Sequence, residues 1–295
     1  MEKEEKIKKS RHFLFQPKVV VTLVSLICLI IVLCRFRAKP TIVFAGTSKN
    51  IPVEQIRGIV RKLSVVGEEL FSDYHFVIYD NDSPMIQQRA WREALGNRGT
   101  FVSERSDRRF RVRTERMAYA RNKLLDLIHG SDYSKFDYLW LQDLDGTCGG
   151  PHGKDSYSLD VFRRVFEQSD KWDVVTFIFL PYWDLWGFRH PILFPYNMYG
   201  RYAVSNPPRG SVQKFLESKM KGPVDSEFID VDSAFMMTAI HKMWTTTLSR
   251  YKHLDDNGDA DCEHVAFYKE MKKRGVKVRL WPVVFCEGDP GFVSV

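Results

Sequence analysis

Apolar positions along the chain alternate between two periods. Val53, Ile56, Ile59, Val60 and Leu63 follow helical spacing and predict a helix over 53–71. Short apolar runs flank it, 41–47 before and 75–79 after, each stopping at small or turn-forming residues as buried strands do. A helix over 85–95, an Arg-rich stretch, a helix over 114–129 and a strand over 138–141 continue the alternation. In the second half, 173–180 and 276–285 read as buried strands, 231–240 as a strand with a following turn, and 263–274 as a helix. Residues 181–208 are rich in aromatics, Gly and Pro without a sustained period, the pattern of a long functional loop. Strands separated by helices predict an α/β fold with a mostly parallel sheet, whose ligands bind beyond the carboxyl ends of the strands.

One segment stands outside this pattern. Residues 19–34 carry no charge, follow Lys18 and precede Arg35, Arg37 and Lys39. A spanning helix needs ~17–25 apolar residues, and flanking basic side chains that reach the interface cover the small shortfall. No small-residue cleavage site follows, so the segment reads as an uncleaved signal anchor rather than a cleaved signal peptide. The expected organisation is a basic tail over 1–18, a transmembrane anchor over 19–34, a stem over 35–40 and one catalytic domain over 41–295. Six basic residues before the anchor favour a cytoplasmic N-terminus, hence a type II protein with its domain in the ER or Golgi lumen. The sequon Asn81-Asp82-Ser83 sits beside the expected pocket, so either it is unmodified or the domain is not luminal. Cys148, Cys262 and Cys286 of the body show no metal-binding spacing.

Charge changes the reading of partners. The net charge of +7 is concentrated in residues 1–39, which contribute +6 and leave the body at +1. A nearly neutral domain gains little from counterion release, so nucleic acid is not an expected partner.

Asp143 and Asp145, one residue apart after an apolar strand, place two carboxylates at a sheet's carboxyl edge. Such a pair suits a hard cation, Mn²⁺ or Mg²⁺, that bridges to a diphosphate such as an activated sugar donor presents. The same letters, Asp143-Leu-Asp-Gly-Thr147, also match the nucleophile motif of haloacid-dehalogenase-type phosphatases. There Asp143 would attack phosphorus, with Thr176 as phosphate-binding hydroxyl and Asp255 and Asp256 as a second metal pair. A solvated turn is the bland alternative.

Seven Arg between 105 and 121 concentrate positive charge ahead of this strand. Most read as a solvated loop; Arg116 and Arg121, inside the helix, are candidates for donor or structural contacts. Thr47 and Asp80 close the first two strands and join them as donor-binding candidates, although Asp80 suits a turn-capping role equally well. Trp183 and Trp186, in an aromatic stretch around Asp184 and Arg189, could form a sugar-binding floor or simply pack in the core. That stretch also allows a third function, a noncatalytic membrane-anchored carbohydrate-binding protein. Glu263 and His264 open a helix, one as a candidate general base and the other as a candidate third metal ligand. Asp184 is a second catalytic candidate, and Asp232 joins the tryptophans in acceptor binding.

The order of these segments resembles a family. The anchor, Arg116-Met-Ala-Tyr-Ala-Arg-Asn122, Leu139-Trp-Leu-Gln-Asp-Leu-Asp145, Tyr182-Trp-Asp-Leu-Trp-Gly-Phe-Arg189 and Cys262-Glu-His264 resemble membrane-associated glycosyltransferases of the GT-A fold, most nearly the capsule-associated α-1,3-mannosyltransferases. The resemblance covers about residues 41–290. It implies a Rossmann-like sheet, a GDP- or UDP-sugar donor, a glycan acceptor, and a divalent cation at Asp143 and Asp145 with His264 as a third ligand. In an inverting member, a carboxylate at Glu263 would deprotonate the acceptor hydroxyl.

Overall fold

The computed structural model describes residues 20–21, 24–25, 39–105, 110, 112–145, 157–178, 185–195, 197, 209–221 and 225–286. Met1–Lys39 and Pro40–Val295 form two separate compact units. The expected anchor lies almost wholly outside the described residues; Val20, Val21, Val24 and Ser25 are helical and exposed. Among the described residues no helix is long and apolar enough to cross a membrane.

The larger unit runs β1 (Thr41–Ser48), α1 (Val53–Leu70), β2 (Asp73–Asn81), α2 (Met85–Leu95), β3 (Gly99–Glu104), α3 (Arg113–His129), β4 (Tyr138–Asp143), α4 (Leu159–Glu167), β5 (Val174–Ile178), α5 (Arg209–Lys219), β6 (Ile229–Asp230), β7 (Thr238–Lys242), α6 (Glu263–Lys273) and β8 (Val278–Val284). The strands form one sheet in the order β3-β2-β1-β4-β7-β5-β8-β6. Pairing is parallel among β3, β2, β1 and β4 and between β5 and β8, while β7 and the short β6 run the other way. The protein therefore has a mixed α/β architecture with a mostly parallel sheet.

Alternation along the strands builds a core on each face. Ile42, Phe44 and Trp140 pack on one face with the apolar stripes of α1, α2 and α4; Val43, Ala45, Leu139 and Leu141 pack on the other with α3, α5 and α6. Pro52 and Pro84 stand immediately before α1 and α2, where a missing N–H costs nothing. Ser158 caps α4 by accepting from the amide of Val161, and Gly275, at φ 82°, follows the end of α6.

Three expectations change. The run over 231–240 is not one strand: β6 ends at Asp230, and the chain loops before β7 begins at Thr238. β3 falls between the helix over 85–95 and the Arg-rich stretch, where no strand was expected. The helices α4 and α5 fall where no helix was expected.

Candidate active site

The sheet reverses its winding between β1 and β4: β1 is followed outward by β2 on one side and pairs with β4 on the other. Such a switch point opens a crevice at the carboxyl ends of the strands. Thr47 and Asp143 are register partners across it, and Gly46 faces Gln142 one step earlier. A Cβ on Gly46 would stand 2.7 Å from both the Gln142 carbonyl oxygen and Leu144 Cγ, so only glycine lets Leu144 tuck under the edge between its two flanking aspartates.

Backbone strain gathers at this edge. All three described non-glycine residues with positive φ sit here: Asn50 just past β1, Asp82 just past β2, and Met237 just before β7. The Asn50 amide donates to Ser83 Oγ at 2.8 Å, and the Met237 carbonyl oxygen accepts from the Asp143 amide at 2.8 Å. Strained residues of this kind persist only where the surroundings over-determine them, and they cluster at functional sites.

Arg121 lies behind the edge. It interrupts the apolar stripe of α3 formed by Ala118, Leu124, Leu125 and Ile128, and it is only 3% exposed. Its Nη2 donates to Asp143 Oδ1 at 2.9 Å and its Nε to Glu263 Oε1 at 3.0 Å. The guanidinium also stands 5.0 Å from the Phe235 ring centroid and 5.9 Å from that of Tyr251. Burial works against its charge, but the Asp143 and Glu263 carboxylates outweigh it and hold the group firmly protonated. Arg121 is thus an internal strut, the structural one of the two roles its sequence position allowed.

Glu263, at the start of α6, shares Arg121 with Asp143, and His264 follows it. Glu263 is buried, with Oε1 accepting from Arg121 and Oε2 lying 3.9 Å from the Cys262 thiol that points at it. His264 is stacked on Phe235 at 3.8 Å and 13°, with the Tyr251 ring edge-on. Neither ring nitrogen has a hydrogen-bond partner, and burial, then Arg121, hold its pKa well below 6.5, so the imidazole is neutral. Among the described residues no three His, Cys, Asp or Glu side chains converge on a common metal position. Asp143 and Asp145 are the oxygen donors at the edge. Crowding by the protein, then the neighbouring Asp143 carboxylate, push the Asp145 pKa up, a repulsion that a divalent cation would relieve. Arg121 and, more weakly, Arg113, exposed in the first turn of α3, oppose that shift.

Other candidates are spent elsewhere. Asp80 is fully buried, and its oxygens accept from Ser83 Oγ at 2.5 Å and Ser103 Oγ at 2.9 Å, so it takes the turn-capping role and has no route to a donor. Asp232 accepts from Lys272 at 3.0 Å, near the far end of α6; Glu263 lies nine residues earlier, roughly 13 Å along a helix. Its side chain therefore lies at the wrong end of α6 for acceptor binding beside Asp143. Arg116 is half-buried, and Trp186 lends its carbonyl oxygen to Arg189. Trp183 and Asp184 lie outside the described residues. Of the aromatic stretch, Leu185, Phe188 and Phe194 are core. Arg189 is buried and paired with Asp261 at 2.5 Å, so this segment buttresses the start of α6.

The phosphatase cues fare no better. The Thr176 hydroxyl donates to the Thr238 carbonyl oxygen inside the sheet, and Asp255 is consumed by Asn197 and the amides of Asn257 and Asp259. Asn81 is buried in β2, leaving no room for a glycan in the folded chain. Cys262 is buried and outside any disulfide, whereas Cys286 is disulfide-bonded.

No protein-family model matches the chain, and no curated protein does. Several solved structures are similar to it at low identity. The mannosyltransferase PcManGT from Pyrobaculum calidifontis, in complex with GDP-Man and Mn²⁺, is 14% identical, with a TM-score of 0.45, over 84% of this chain and 58% of that one. Glucosyl-3-phosphoglycerate synthase from Mycobacterium tuberculosis, in complex with Mn²⁺, uridine-diphosphate and phosphoglyceric acid, is 10% identical, with a TM-score of 0.44, over 82% of this chain and 68% of that one. S. aureus TarS is 11% identical, with a TM-score of 0.44, over 83% and 59%. This chain therefore spans little more than half the length of two of these proteins.

Proposed function

We propose that the chain is a divalent-cation-dependent GT-A glycosyltransferase that moves a hexose from a GDP- or UDP-sugar to a hydroxyl of a glycan. The observation that carries this reading is the pair Asp143 and Asp145 at the carboxyl end of β4, on the switch point of a mostly parallel sheet. Mn²⁺ or Mg²⁺ bound there would neutralise the diphosphate of the donor and of the leaving nucleotide. The chain's own residues do the rest. Asp143 and Asp145 would supply oxygen ligands, Arg113 in the first turn of α3 adds positive charge felt at Asp145, and Thr47 in β1 is the register partner of Asp143. His264 stays neutral behind the aspartates and is kept as a candidate ligand. The nearest family reading remains the capsule-associated α-1,3-mannosyltransferases.

The proposed setting is a type II membrane protein with its domain in the ER or Golgi lumen. The basic tail and uncharged segment over 19–34 support this, and the disulfide at Cys286 suits an oxidising compartment. Burial of Asn81 supports the alternative in which the sequon is unmodified.

Thermal shift of the full chain against GDP, UDP and their sugars, with and without Mn²⁺, tests the proposal. Stabilisation by a nucleoside diphosphate only when the cation is present is expected, and Asp143→Asn or Asp145→Asn abolishes it without unfolding the protein. Trapping of an aspartyl-phosphate at Asp143, with no response to nucleotides, would replace this reading with the phosphatase.

A further inference from the structure

We propose that the cavity between the 251–261 loop and α6 is a sugar subsite, and that it holds an uncharged residue of the acceptor glycan away from the reacting hydroxyl. The second clause rests on the transferase reading; the first does not. The cavity has a volume of about 410 Å³, inside the ~300–1,000 Å³ typical of ligand pockets. Tyr251 borders it, and the ring centroid of that residue also stands 5.9 Å from the Arg121 guanidinium; Asp261, another lining residue, lies two positions before Glu263. The cavity is therefore next to the candidate site without including the aspartate pair. Its lining carries both signs of charge, and their partners sort them. Asp255 is taken by Asn197 and the amides of Asn257 and Asp259, Asp261 by Arg189, and Glu270 by Arg274. The side chains of Lys252, Lys269 and Asp256, all exposed, make no hydrogen bond or ion pair among the described residues. Two ammonium groups with one carboxylate suit hydroxyl groups, which accept from the first and donate to the second, and such charge-assisted bonds are the strong ones. A simple anion would meet the carboxylates of Asp255 and Asp256 as well as the lysines, which disfavours it. Leu254, also in the lining and 42% exposed, offers apolar surface to the CH face of a pyranose ring. A sugar residue held here would supply binding energy from a part of the substrate remote from the chemistry.

Saturation-transfer NMR of the full chain with the methyl α-glycosides of mannose, glucose and galactose, without nucleotide or cation, tests the proposal. Transfer to at least one hexoside is expected, and Lys269→Met and Asp256→Ala should each weaken its binding about tenfold, the worth of one charge-assisted hydrogen bond. Both side chains are exposed, so neither change disturbs the core. No transfer to any hexoside, or equal affinity in the wild type and both variants, would overturn the proposal. So would a rise in melting temperature with inorganic phosphate or glucuronate in the absence of any hexoside signal, which would make the cavity an anion site. Loss of the signal in Asp143→Asn with both cavity variants unaffected would move the sugar to the donor edge and overturn it too. The response to GDP or UDP with Mn²⁺, measured on the same samples, separates this inference from the reading beside it. Nucleotide response without hexoside binding removes only the sugar subsite, whereas hexoside binding without nucleotide response supports the subsite and removes the transferase.

Discussion

Met237 hands its carbonyl oxygen to the amide of Asp143 at 2.8 Å from a backbone held at φ 70°. A left-handed conformation costs a residue with a Cβ about 1–2 kcal/mol, and here that cost fixes the strand end that carries the aspartates. Met237→Ala and Met237→Gly both remove the side chain, but only glycine removes the strain. The glycine variant is therefore expected to be the more stable of the two by about 1 kcal/mol in urea unfolding, although glycine normally weakens a folded chain relative to alanine. Greater stability of the alanine variant would mean that this backbone is not strained.

Arg189 and Asp261 form a second buried pair, remote from Arg121 in sequence. Arg189 also donates to the carbonyl oxygens of Trp186 and Phe188, while Asp261 accepts from the Cys262 amide at the entrance to α6. Removing one partner of such a pair strands the other charge and costs about 3–5 kcal/mol. Arg189→Met and Asp261→Leu should each cause a loss of that order in chemical denaturation, whereas the double variant should lose much less than the sum. Additive losses would show that the two residues are not a coupled unit.

The sequence made legible what repeats locally. β1, β4 and β8 declared themselves because both of their faces are buried, which leaves an almost unbroken apolar run. β3 did not, because Gly99–Glu104 is an edge strand, half-buried along its whole length and written in mixed Thr, Val and Ser. The stretch over 231–240 misled because its apolar half, Ala234 to Met237, serves the site rather than the sheet: Phe235 faces His264 and Arg121, and Met237 braces Asp143. Site residues were legible as types but not as partners. Arg121 meets Glu263 across 142 positions of chain, and Arg189 meets Asp261 across 72. A charged residue inside the apolar stripe of α3 signals that a buried counter-ion must exist, but only the fold says which.

Acid should undermine the layer beneath the site. His241 is fully buried with Nδ1 unpartnered, and burial pulls its pKa down to about 3; His264 is shifted in the same direction. The unfolded chain therefore takes up these protons near pH 6.5, well before the folded one. Stability is full above that value and falls as the pH drops toward the depressed values, by ~1.4 kcal/mol per pH unit for each histidine. His241→Gln, which does not titrate, should shallow the decline between pH 6.5 and 4 when urea midpoints are compared. A parallel decline in variant and wild type would show that His241 is protonated in the folded state.

The tightest constraint on the site is steric. Gly46 faces the backbone of Gln142 at a distance no Cβ tolerates, and the neighbour on the other side is Leu144, buried between the two aspartates. Gly46→Ala must push β4 away from β1 or drive Leu144 out of its seat, and overpacking of this kind costs about 1–3 kcal/mol. Because Asp143 and Asp145 flank the displaced residue, the damage should exceed the stability loss. The variant is expected to melt several degrees lower and, at temperatures where it is still fully folded, to lose its cation-dependent response to nucleoside diphosphate. Gly58, in α1, has open space where its Cβ would stand, so Gly58→Ala serves as the control and should leave both melting and nucleotide response intact or improved. Equal behaviour of the two variants would show that the close approach of β1 and β4 does not set the geometry of the aspartate pair.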